Sequence, residues 1–292
     1  MRPMAPDSFA YARIEVPDVD ATTAFYERYV GLEVVRRVGD HVMLRAGTLH
    51  HAIELVPGPG PEGVTRAFGF TMAGASDLAD LRRRVDEAGL AARPLPSSLD
   101  GLVMDGFAVD DPNGITFEFV EGFQEFAEPP FLAFHPERVM HPFIVTPKYH
   151  DTLRFATEVV GFQVSDYIAD MTAFVRGENR YHHALAILES EAFTINHVNF
   201  LMPSLDHVMR ARARILYEGV PIKMDLVKHS ASTTIAFYFQ VPEHGPPIEL
   251  SYGHRIFTPA EHESHRPRRM AQGARNELDL WRSSDDDWRE VH

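Results

Sequence analysis

Residues 234–253, TIAFYFQVPEHGPPIELSYG, alternate apolar and polar positions on either side of a turn. Ile235, Phe237 and Phe239 mark one strand, the Pro- and Gly-rich stretch 242–247 reverses the chain, and residues 248–252 resume an extended pattern. Glu249 falls in that second strand between Ile248 and Leu250. A carboxylate there either faces water or is buried with a partner, because desolvating an unpaired charge costs on the order of several kcal/mol.

The same kind of patterning runs through the chain. Residues 9–17 predict a strand, Asp18-Val19-Asp20 opens a helix that runs through 21–29 with an acidic first turn and is stopped by Gly31, and 32–38, 41–46 and 50–56 are three further strands. After the turn-rich stretch 57–61 the order restarts. A strand is expected over 65–72, a helix over 76–88 capped by Ser76 and closed by Gly89, and three more extended runs ending at 115–122.

The second half repeats that order. Phe25 and Gly31 correspond to Phe155 and Gly161, and Arg66 to Asn196, each at an offset of 130 residues; Glu118 and Glu249 are 131 apart after one inserted residue. Four copies of a strand-helix-strand-strand-strand unit result. One such βαβββ unit of about 50 residues has too little core to stand alone. The expectation is an α+β fold of two domains, each built from two paired βαβββ modules forming a half-open barrel around a cleft. The domains are read as 8–123 and 138–254, joined by the proline-bearing stretch 123–138. Residues 255–292 are polar and charge-rich, and read as a tail that wraps the body or packs on a partner chain, with disorder as the plain alternative for its last ten residues.

Composition narrows the chemistry. The chain has 292 residues and no cysteine, so disulfides, thiolate metal sites and cysteine nucleophiles are excluded, leaving His and carboxylates as the strong metal ligands. Its 42 acidic and 28 basic residues give a net charge of −14, which argues against nucleic acid as a partner. No apolar run approaches the roughly 18–20 residues that span a bilayer, and the N-terminus lacks a signal-peptide core; a cytoplasmic location without membrane contact is expected.

His141 and His197 each lie near the start of the first strand of a copy, and Glu249 lies in a last strand. If the fold gathers them, they form a 2-His-1-carboxylate set, which leaves open positions on non-haem Fe(II). A single strand histidine is ordinarily a core or surface residue, so this set gains its meaning only through the fold. In the first half the three positions hold Tyr11, Ala67 and Glu118, and the imidazoles are absent. His183, His229 and Tyr238 are expected near the same cleft. His182-His183 has a counterpart in His50-His51, so the plain reading of His50, His51 and His182 is partly exposed strand residues.

Taken together, these segments resemble the type I extradiol ring-cleaving dioxygenases of the vicinal oxygen chelate superfamily. The resemblance covers residues 8–253 and is carried by MHPFIVTPKYHDTLRFATEVVGF, RYHHALAI, INHVNFLMPSLDHV, KHSASTTIAFYFQVP and IELSYG. It implies Fe(II), with Mn(II) as the other metal, at His141, His197 and Glu249. It also implies acid-base and oxygen-handling work for His183 and substrate contacts for His229 and Tyr238. The second histidine of the pair is chosen over His182 because aligning the following LAI run with the family's strand turns it inward. Val227-Lys228 stands where the family often has a glycine-arginine pair. The implied reaction opens a catechol, alkylcatechol or biaryl diol beside its hydroxyls with O2, in a homo-oligomer. A metal-dependent isomerase or transferase, or a non-catalytic aromatic-ligand-binding protein, are the alternatives on the same fold.

Overall fold

The computed structural model describes residues 3–58, 64–240, 242–271 and 278–281. In the first half the elements run β1 (Ser8–Val16), α1 (Val19–Phe25), β2 (Glu33–Val38), β3 (His41–Arg45), β4 (Ile53–Pro57), β5 (Val64–Met72), α2 (Ala75–Glu87), β6 (Asp105–Asp110) and β7 (Thr116–Glu121). The second half follows with β8 (Arg138–Thr146), α3 (Tyr149–Arg154), β9 (Gln163–Ile168), β10 (Thr172–Arg176), β11 (Leu185–Glu189), β12 (Thr194–Leu201), α4 (Leu205–Tyr217), β13 (Ile222–Lys228), β14 (Ile235–Phe239) and β15 (Ile248–Tyr252). The tail adds α5 (Pro259–Ser264) and β16 (Arg268–Met270).

Each half forms one sheet. The order is β2-β3-β4-β1-β5-β7-β6 in the first and β13-β14-β15-β12-β8-β11-β10-β9-β16 in the second. The seam between the two modules of a half is the antiparallel pairing of their first strands, β1 with β5 and β8 with β12. That seam places the imidazole-bearing strands side by side, with His197 opposite Phe143 and Asn199 opposite His141. Parallel pairing of β12 with β15 then sets Glu249 beside Asn199 on the next strand.

The outward faces of the two sheets and their helices share one apolar core. Phe117 meets Phe155 edge-on with ring centroids 5.3 Å apart, and Phe70 meets Phe162 at 5.5 Å. Such aromatic pairs contribute about 0.5–1.5 kcal/mol each beyond their burial. No helix among the described residues is long and apolar enough to cross a membrane.

Several local expectations are corrected. α1 opens where expected, at Val19 with the Asp18 side chain accepting from Ala21 N at 2.9 Å, but it runs on as a π-helical turn over Tyr26–Val30 before Gly31 at φ +80°. Ser76 lies inside α2 and Gly74 is its N-cap; the matching cap in α4, Ser204, does accept from a backbone N–H, that of His207. The second copy has two strands after its helix where three runs are expected. Pro94 and Pro96 interrupt the missing one, each lacking the N–H a ladder needs, and only Arg93 makes a bridge, to Ala108. His50-His51 and His182-His183 precede β4 and β11 instead of lying within them. Of the expected turn 57–61, residues 59–61 lie outside the described residues, as do the last ten of the tail. The described tail wraps the second sheet, with β16 extending it parallel to β9.

Candidate active site

Glu249 is held in β15 opposite Tyr238 of β14, with both side chains on the concave face. Its Oε2 lies 3.0 Å from His197 Nε2 and 3.4 Å from His141 Nε2, and the two nitrogens are 3.3 Å apart. All three residues are buried. Donor atoms bound at about 2.1 Å on one face of an octahedral ion are separated by about 3 Å, so this triangle fits a shared divalent cation. Burial pushes the His141 imidazole down to about 4, so it is a neutral ligand at pH 7. His197 Nδ1 donates to Asn196 Oδ1 at 2.9 Å, which leaves its Nε2 lone pair pointing inward.

The first half supplies an internal comparison. There the counterpart acid, Glu118, receives two bonds from the Arg13 guanidinium, at 2.7 and 3.1 Å, and one from the Tyr11 hydroxyl. Tyr11 fills the place of the first imidazole because Gly69 lets its ring approach; a Cβ on Gly69 would lie 2.1 Å from it. The second half has Phe143 where the first has Arg13, and Phe143 packs edge-on against His197 at 5.2 Å. Thus one buried acid is balanced by a guanidinium, while the other faces two imidazoles whose lone pairs suit a metal.

The remaining expected residues lie around the same cavity of about 300 Å³, whose wall includes His183, His229 and Tyr238 together with the three above. Tyr238 donates to Glu249 Oε1 at 2.7 Å, and its oxygen accepts from His229 Nε2 at 2.6 Å. Burial and the adjacent carboxylate push the Tyr238 phenol well up, so it stays a donor. On the opposite flank, His183 Nε2 is 3.0 Å from His141 Nε2. His50, His51 and His182 are buried, not partly exposed. His182 is buried because Asp166 takes its Nε2–H at 2.8 Å.

This arrangement carries recognisable kinship. Residues 8–119 and 138–256 match the family described as the Glyoxalase/Bleomycin resistance protein/Dioxygenase superfamily. A biphenyl-2,3-diol 1,2-dioxygenase of Paraburkholderia xenovorans (strain LB400) is 30% identical over 275 residues, covering 84% of this chain and 87% of that one. The chain belongs to that superfamily, among its extradiol ring-cleaving dioxygenases. Its fold also superposes on a Mn(II)-bound glyoxalase from Novosphingobium aromaticivorans, at TM-score 0.82 and 26% identity, covering 95% of this chain and 91% of that one. A homoprotocatechuate 2,3-dioxygenase from Brevibacterium fuscum shares the fold at TM-score 0.83 and 20% identity, covering 96% and 90%.

Two residues of this dioxygenase escape sequence reasoning. His254, 7% exposed, lines the cavity with its ring centroid 4.9 Å from His183 and 5.6 Å from His141; neither of its nitrogens has a partner among the described residues. With His141 and His183 it forms a second group of converging imidazoles. The internal repeat carried a faint signal, since its counterpart Phe123 packs on His51 at 5.1 Å. Asp166 is the other. Burial would raise its carboxyl, but bonds from His182 and Arg268 outweigh that and hold it below the usual range.

Proposed function

We propose that this chain, an extradiol ring-cleaving dioxygenase, opens a catechol bearing an apolar substituent, with O2, at a non-haem Fe(II) held by His141, His197 and Glu249. The observation that carries this reading is the buried triangle of 3.0, 3.3 and 3.4 Å between their donor atoms, with no guanidinium beside Glu249 among the described residues. Bound there, the ion would anchor both diol oxygens and O2 and lower the diol's pKa. Tyr238 holds Glu249 in orientation and, with His229, presents a polar edge to the substrate. His183 offers Nε2 to the cavity and moves the proton released by the diol. Phe143, Ile168, Met171, Phe174 and Leu188 exclude water and receive the apolar substituent.

The name of the P. xenovorans relative supports a second aromatic ring as that substituent. The ligand set favours Fe(II), and the Mn(II)-bound relative makes Mn(II) the other outcome of the test. The same reading divides the chain into a supporting unit, 8–123, a catalytic unit, 138–254, and a tail, and assembles it as a homo-oligomer. Anaerobic reconstitution with Fe(II) or Mn(II), followed by 2,3-dihydroxybiphenyl, an alkylcatechol or catechol in air, tests it. One O2 consumed per diol, a yellow ring-opened product and preference for the biaryl are expected; absence of O2 uptake with every diol would refute it.

A further inference from the structure

His183 faces the cavity with Nε2, while its Nδ1 lies 3.1 Å from His182 Nδ1. His182 Nε2 in turn lies 2.8 Å from Asp166 Oδ2. All three side chains are buried, so the direction of each bond follows from which groups can donate. The Asp166 carboxylate also accepts from Arg268, through its backbone N at 3.0 Å and Nε at 2.9 Å to Oδ1, and through its terminal nitrogen to Oδ2. An acceptor on every side, Asp166 requires the proton of His182 on Nε2. His182 Nδ1 is then a bare lone pair, and the 3.1 Å contact forms only if His183 donates from Nδ1. The lone pair left on His183 is therefore on Nε2, inside the cavity, where in the metal-free protein it accepts from His141 Nε2 at 3.0 Å.

The first half shows that the histidine pair alone does not dictate this. His50 and His51 make the same contact, Nδ1 to Nδ1 at 3.0 Å, but the 130-residue offset puts Arg36 where Asp166 stands. Among the described residues no carboxylate bonds to that pair to fix its proton, and the cavity chemistry is absent as well.

We propose that Asp166 and His182 are positioning residues that lock His183 with its proton on Nδ1 and its Nε2 as the proton acceptor facing the substrate. The inference rests on the reading of His183 as the proton-handling residue of the ring-opening site. Arg268, from the tail, holds the carboxylate in place, so the tail contributes to the catalytic arrangement.

Asp166→Asn tests this. The amide offers N–H to His182 Nε2, which must then accept; its proton moves to Nδ1, and His183 is forced to carry its proton on Nε2. The same acid-to-amide change reverses the tautomer in a Ser-His-Asp triad. The expected result is a fall in kcat of about 100-fold or more with anaerobic catechol affinity unchanged. In the metal-free protein, 15N NMR is expected to show the His183 proton moving from Nδ1 to Nε2. Arg268→Gln, which frees the tail but keeps the acid, is expected to leave that proton on Nδ1 and to serve if the Asn variant fails to fold. A wild-type His183 protonated on Nε2, or a tautomer and kcat unmoved by Asp166→Asn, would overturn the proposal. So would an Arg268→Gln variant with the full kcat loss and no tautomer change, which would reduce Asp166 to a tail anchor. Because the tautomer is read without metal, a wild-type protein that fails to cleave any diol would sink the proposed function and leave this inference separately testable.

Discussion

Arg13 reaches both oxygens of Glu118, at 2.7 and 3.1 Å, and its Nε reaches Glu54 at 2.7 Å. One guanidinium thus balances two buried acids in the half that has no imidazole at the positions of His141 and His197. Arg13→Met leaves both carboxylates without their cation, and a loss of about 3–5 kcal/mol of stability is expected. Urea or thermal unfolding checks it. An unchanged midpoint would show that the first half does not depend on this cation.

Tyr238 makes the corresponding polar contact in the second half, donating to Glu249 Oε1 at 2.7 Å. Tyr238→Phe removes a charge-assisted hydrogen bond, and kcat/KM is expected to fall about 10–100-fold with one metal per chain retained. Steady-state kinetics beside metal analysis separates this from loss of the ion.

His254 is buried with two unpartnered ring nitrogens among the described residues. Replacing an unsatisfied polar group by an apolar one of similar size is nearly neutral or stabilising. His254→Leu is therefore expected to melt at or above the wild-type temperature while turnover falls, because the cavity loses the two polar nitrogens that His254 presents to it. A destabilised variant with normal kinetics would mean that His254 serves only packing.

The Asp166 carboxyl is depressed in the folded chain, so it favours the folded state most where unfolded aspartate is ionised. The stability difference between wild type and Asp166→Asn is expected to be constant from neutral pH down to about 4, where the unfolded acid begins to protonate. Below that it shrinks as pH falls toward the depressed folded value. Chemical denaturation across pH 3–7 measures it; a difference that grows on acidification contradicts the assignment.

The order of elements was legible because the chain repeats it, and the offset of 130 residues marked His141 and His197 as substitutions in a repeated frame, while an offset of 131 paired Glu249 with Glu118. What the frame could not show were features settled by other segments. Pro94 and Pro96 remove a strand that the repeat demands. Asp166 looks like an ordinary polar strand position until His182 and Arg268, 16 and 102 residues away, close on it. His254 follows β15, where alternation has ended and nothing local signals that it turns inward. His182 read as partly exposed because the acid that permits its burial lies in β9, 16 residues away.

Anaerobic titration with Fe(II), followed by calorimetry in the wild type and in His197→Ala and Glu249→Gln, bears most directly on the site. One ion per wild-type chain is expected, with binding and ring cleavage both lost in each variant. Full Fe(II) binding by either variant, or cleavage without it, would mean that the ion sits elsewhere.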